Sequence, residues 1–150
     1  MPDDLLRPTV GAGVDISARP WRLMSQTYVA FFGGVIASTA VTYLNAGRLG
    51  VDAGRRRLIL LTGLVGQLAV IGLFLALYDG GSGNTYSVRL PLRVTAVLCC
   101  LVQLRLQRPM DRAFQLRGAE YGSLWGVGFA CVGCGLLAEV LLLVLVAGLT

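Results

Sequence analysis

Residues 23–47 contain no charged side chain, and neither do residues 58–78. Runs of this kind decide the architecture, because a helix rises about 1.5 Å per residue and the hydrocarbon core of a bilayer is about 30 Å thick. As helices the two runs measure about 37 Å and about 32 Å, so each is long enough to cross. A third run, residues 90–104, is shorter and holds Arg93; a fourth, residues 123–149, carries a single charge, Glu139. Hydrophobic residues make up 55% of the chain and charged residues 14%, against about a quarter charged in a soluble domain. So little charge cannot cover the outside of a water-soluble core of this size, and the chain faces lipid. The expected fold is all-α, an integral membrane bundle of four transmembrane helices. The spans fall at about 23–47, 58–78, 90–107 and 123–149, which divides the chain into a polar tail, residues 1–22, and a transmembrane domain, residues 23–150.

The tail holds Pro2, Pro8 and Pro20 with three aspartates and three arginines, and it lacks the apolar run of a secretory signal. After the first span, Gly50, Asp52 and Gly54 mark a turn and Arg55, Arg56 and Arg57 stop the apolar run. The stretch from Asp79 to Asn84 is a second turn. The third span needs help: Pro91 fits its first turn, and Arg93, Arg105 and Arg108 reach toward the two interfaces. Because residues 94–104 are apolar nearly all round, crossing is favoured over lying on the surface. A polar loop, residues 108–122, leads to the fourth span.

Arginines set orientation. With four spans, the first and third loops hold Arg48, Arg55, Arg56, Arg57, Arg105, Arg108, Arg112 and Arg117, and the opposite side holds Arg7, Arg19, Arg22 and Arg89. The positive-inside rule then puts the basic loops in the cytoplasm and both termini outside. If the third segment lies on the surface instead, the amino terminus becomes cytoplasmic.

All 13 basic residues are arginine; histidine and lysine are absent. That removes the phosphate-loop lysine, histidine-based nucleophilic triads and the usual nitrogen ligands for metals. Neither enzymatic activity, cofactor nor metal is expected, and the net charge of +5 reads as loop orientation rather than as a nucleic-acid surface. Cys99, Cys100, Cys131 and Cys134 form two pairs near the expected midplane. A redox role needs thiolate character and access, which an apolar setting without a neighbouring cation opposes; buried cysteines as small hydrophobes are the reading preferred.

Glu139 and Arg93 are the costliest residues to place in lipid, and both fall toward the leaflet opposite the basic loops, so an ion pair between the third and fourth helices is expected. Such a pair either locks two helices in register or serves a proton or ion relay. Gln67 and Gln103 complete the intramembrane polar candidates, suited to hydrogen bonds between helices. Small residues recur at spacing four, Ala30, Gly34, Ser38 and Thr42, and again at Gly118, Gly122 and Gly126, a pattern that serves close packing within the monomer or between copies. Trp21, Tyr28, Tyr43, Tyr78, Tyr86, Tyr121 and Trp125 fall near span ends, as an interfacial aromatic belt does.

Residues 26–50, with Phe32, Gly33, Gly34, Ala37, Asn45, Leu49 and Gly50, resemble the opening of a family of uncharacterised small bacterial inner-membrane proteins. The resemblance continues through Arg55 to Arg57 and through Leu106, Gln107, Arg108 and Pro109 to Gly122, Ser123, Leu124 and Trp125. It implies a four-span protein of a bacterial inner membrane and transfers no site residue. The function expected is that of an accessory or assembly component, with the lipid bilayer, a second copy or another membrane protein as partner. A small transporter or channel subunit built on Arg93 and Glu139 is the alternative.

Overall fold

The structure, a computed structural model, describes residues 19–77, 85–116, 118 and 120–149. Most of the expected tail, the turn after Tyr78, and Arg117 lie outside these residues. The described chain is all-helical: α1 (Ser25–Arg48), α2 (Ala53–Leu77), α3 (Thr85–Leu116) and α4 (Trp125–Leu149). Each is long and apolar enough to cross a membrane, and together they form a four-helix bundle.

Local chemistry explains the boundaries. The Asp52 carboxylate accepts the Arg55 backbone N–H at 3.0 Å and pairs with the Arg55 side chain at 3.3 Å, so α2 starts at Ala53 and takes the basic cluster into its first turns. Helix α3 is longer than its apolar run at both ends. Pro91, expected in the first turn, lies further inside, and the helix passes through Pro109 to Leu116 where a polar loop was expected. What carries it on is tertiary: Phe114 is buried with Leu49 and Val51, and Asp111 accepts hydrogen bonds from Gln115 at 3.0 Å and Tyr121 at 2.9 Å.

Helix α1 has the length of a span but is broken at Gly34, whose φ of 77° and ψ of −167° are not helical. The break reverses the chain. The Trp21 backbone N–H donates to Asn45 Oδ1 at 2.7 Å, and Asn45 Nδ2 donates back to the Trp21 carbonyl at 3.2 Å. In an unbroken helix Ser25 and Asn45 stand about 30 Å apart, and the four residues from Trp21 to Ser25 reach at most about 14 Å. At the other extreme, a Cβ added to Gly33 would come 2.6 Å from that of Ala37, where residues four apart on a helix keep their Cβ atoms about 5–6 Å apart. Residues 25–33 and 35–48 are therefore two antiparallel arms with Gly34 at the tip.

The strip of small residues makes this possible. Ala30, Ser38 and Thr42 are fully buried, and Gly135 of α4 would meet the Gly33 carbonyl oxygen at 2.7 Å if it carried a Cβ. The strip thus packs this chain against itself. Helix α1 lies between the backbones of α3 and α4, which reach one another through side chains, while α2 packs against α3 and α1 and touches α4.

Because α1 turns back, both of its ends lie at one end of the bundle. Arg48 donates to the Arg19 carbonyl at 3.2 Å and its guanidinium lies 4.1 Å from the centre of the Trp21 ring, which is 1% exposed rather than part of an interfacial belt. Gly122, ahead of α4, donates its N–H to Pro20 at 2.8 Å. Arg19 and Arg22 therefore join Arg48, Arg55, Arg56, Arg57, Arg105, Arg108 and Arg112, and only Arg89 stands at the opposite end among the described arginines outside the ion pair. The expected division of arginines between two faces, with the segment before α1 opposite the basic loops, is corrected by the Gly34 reversal.

Candidate intramembrane ion-pair site

Arg93 sits two turns into α3 and Glu139 just past the middle of α4, and Nη1 of the first lies 2.9 Å from Oε2 of the second. Counted from the arginine-rich end, Glu139 is fourteen residues from Trp125 and Arg93 fourteen from Gln107, each about 21 Å. The second arm of α1 covers about the same height from Arg48 to its tip. All three elements therefore meet about two-thirds of the way across a 30 Å core.

Gly34 closes the site. A Cβ at this position would run into the Glu139 carboxylate and lie 3.1 Å from Arg93 Nη1, so the backbone of the tip touches the ion pair where a side chain would stand. Its positive φ demands glycine independently. The carbonyl end of the first arm and the N–H end of the second both finish here, placing partial negative and partial positive charge beside a pair of opposite charges. Around them stand Val35, Val70, Leu92 and Ala96, all buried, backed by Phe74, Val88 and Leu143. Side-chain exposure is 6% for Glu139 and 25% for Arg93, so the arginine is the partner that retains access.

Gln103 belongs to a separate polar layer. Ala96, Cys100, Gln103 and Gln107 follow one face of α3 toward the arginine-rich end. Gln107 Nε2 donates to the Thr42 carbonyl at 2.7 Å and its Oε1 accepts from Asn45 at 3.0 Å. Gln103 Nε2 donates to Thr39 Oγ1 at 2.9 Å and to the Ile59 carbonyl at 3.1 Å. Cys100 points its thiol at the Gln26 carbonyl, 3.8 Å away. Ten residues separate Gln103 from Arg93, about 15 Å along the helix, so these two expected site residues are not brought together. Gln67 lies on α2 beside Gly66, which faces Val35 and Cys99; both atoms of its amide are buried without a hydrogen-bond partner among the described residues, as are those of Gln26.

The cysteine pairs do not meet. Cys99 donates to the Thr62 carbonyl on α2 at 3.2 Å, whereas Cys131 packs against the Trp21, Val29, Ala37 and Val41 cluster across α1; all four thiols are free. No group of three metal-ligating side chains forms among the described residues.

Charge singles out Arg93 and Glu139 in the sequence but not Gly34, Gln26, Asn45 or Gln107. The available signals were the Gly33–Gly34 doublet inside an otherwise apolar run, and amide side chains at both ends of that run.

No family model, curated protein or solved structure matches this chain. The fold and the site define a class: a helical multi-pass membrane protein in which a broken helix ends on a buried ion pair.

Proposed function

We propose that the protein is a small transporter or channel subunit of a bacterial inner membrane, moving a proton or small ion by way of the Arg93–Glu139 pair. The observation that carries this reading is the meeting of the α1 break with that pair. Non-helical backbone at membrane depth occurs where it is buried in protein or lines a water-filled cavity, and the broken helices of transporters end on ion and substrate sites. A pair needed only to hold two helices in register does not require a third helix to reverse against it. Protonation of Glu139 removes the charge that holds Arg93, and loss of the proton restores it, which gives the site two electrostatic states.

Orientation follows from the arginines. With α1 entering and leaving at one face, nine described arginines stand at that face and Arg89 at the other. The positive-inside rule makes the first face cytoplasmic, together with the segment ahead of α1, and the end of α4 external.

Reconstitution tests the function. In vesicles loaded with a pH-sensitive dye, the protein dissipates an imposed proton or cation gradient, and Glu139→Gln abolishes this while the purified variant stays monodisperse. Flux that survives Glu139→Gln sinks the role given to the pair. Absence of any flux favours the second reading, an accessory or assembly component.

A further inference from the structure

A groove of about 1000 Å³ runs between the first arm of α1 and the start of α4, at the arginine-rich end of the bundle. Glycines bring its walls together. Gly122 is held against the Arg19 backbone, where a Cβ would come 2.8 Å from the carbonyl oxygen, and the buried Gly128 faces Val29. The walls are apolar and aromatic: Tyr28 and Phe32 from α1, Trp125 and Phe129 from α4, all largely exposed on the outside of the bundle. The groove therefore opens sideways, into the space that lipid fills. Its mouth is polar, with Arg22, Ser25 and Ser123.

We propose that this groove holds an anionic phospholipid from the arginine-rich leaflet, its acyl chain between the aromatic walls and its phosphate at Arg22. Three observations fix the class of occupant. One end of the groove is charged and the rest apolar, which suits an amphiphile and not a soluble ion or a wholly apolar molecule. Of the two charged lining residues, Glu120 faces Arg19 at 3.9 Å, whereas Arg22 has no carboxylate partner among the described residues and lies 5.7 Å from the centre of the Tyr121 ring. The charge left over is thus positive, matching a phosphate. Length agrees as well: from Ser25 to Phe32, or from Trp125 to Val132, the walls extend about 10 Å, two-thirds of the roughly 15 Å of hydrocarbon in one leaflet.

Trp125 supplies the readout, since the other tryptophan, Trp21, is buried away from lipid. The full-length protein is reconstituted in vesicles of phosphatidylcholine and phosphatidylglycerol in which one or the other lipid carries brominated chains, and quenching of tryptophan fluorescence is compared. Phosphatidylglycerol is expected to quench with about a fivefold preference, the factor matching about 1 kcal/mol for one arginine near the surface. Arg22→Gln reduces the preference to unity and Arg22→Lys keeps it. Gly128→Leu fills the groove and abolishes the preference without touching the charge, so that loss of folding in one variant leaves the other to decide. Equal quenching by the two lipids in the unaltered protein overturns the proposal, whether residues 1–18 or a second copy fills the groove. A preference that persists in both Arg22→Gln and Gly128→Leu overturns it too.

Discussion

Asn45 clasps Trp21 across 24 positions of sequence, accepting its backbone N–H at 2.7 Å and donating to its carbonyl at 3.2 Å, and its amide also reaches Gln107 at 3.0 Å. One side chain thus ties the residues ahead of α1 to the end of α1 and to α3. Both groups on Trp21 are buried backbone atoms outside any helix, which need a partner.

Asn45→Leu leaves those groups unpaired at a cost of about 1–3 kcal/mol for a buried donor or acceptor. The expected result is a lower midpoint of thermal unfolding in detergent, followed with a thiol-reactive dye on a background in which Cys99, Cys131 and Cys134 are replaced by serine, as the buried Cys100 becomes accessible. An unchanged midpoint would show that the clasp carries no stability.

Gly34→Ala faces both a glycine-only backbone conformation, worth about 1–3 kcal/mol, and a collision with the Glu139 carboxylate. It is expected to destabilise strongly and to abolish flux. Gly133→Ala, at a position with open space around the added Cβ, serves as the control and is expected to unfold at the wild-type temperature.

Removing one partner of the ion pair leaves a charge in hydrocarbon, so Arg93→Gln and Glu139→Gln each lower stability, by about 3 kcal/mol for a buried pair. The double variant unfolds above either single one. Arg93→Glu combined with Glu139→Arg restores part of the stability; if it is as unstable as the sum of the single changes, pairing contributes nothing.

Topology is open to labelling. On a cysteine-free background, Arg19→Cys and Ser123→Cys are protected in intact cells from a membrane-impermeant maleimide and react once the membrane is opened, whereas Gly148→Cys reacts in intact cells. In an unbroken α1, Arg19 and Ser123 would stand on opposite faces and only one would be protected.

The phenol of Tyr121 sits at the arginine-rich end against Phe114, and burial pushes its pKa above the ordinary tyrosine value. A group whose pKa is raised on folding contributes stability that is fully present below its unfolded pKa, about 10, and lost as pH rises through the folded one. The wild-type protein is therefore expected to lose thermal stability in alkaline buffer more steeply than Tyr121→Phe.

The apolar runs were enough to read helices α2, α3 and α4 from sequence, since lipid leaves a chain few alternatives to helix. Their ends were less legible. The turns of α3 beyond Gln107 are held by Phe114 and Asp111 through partners distant in sequence, Leu49 and Tyr121, which composition does not display. Arg93 and Glu139 could be paired from charge and depth alone. The Gly34 reversal could not, because small residues at spacing four serve unbroken crossing helices as readily as a hairpin tip, and the clasp between Trp21 and Asn45 shows only in three dimensions.

If the proposed ion path and orientation hold, the depth of the hairpin tip also sets how the site would sense voltage. From the external face to Glu139 lies about one-third of the hydrocarbon, so a unit charge arriving from outside crosses about one-third of the field and gains about 0.8 kcal/mol per 100 mV. The other two-thirds of the potential drop would fall along the arms of α1, between Gly34 and the arginine-rich end. Occupancy of Glu139 by an external proton should therefore respond weakly to membrane potential, and any step that carries charge onward to the cytoplasm should respond about twice as strongly.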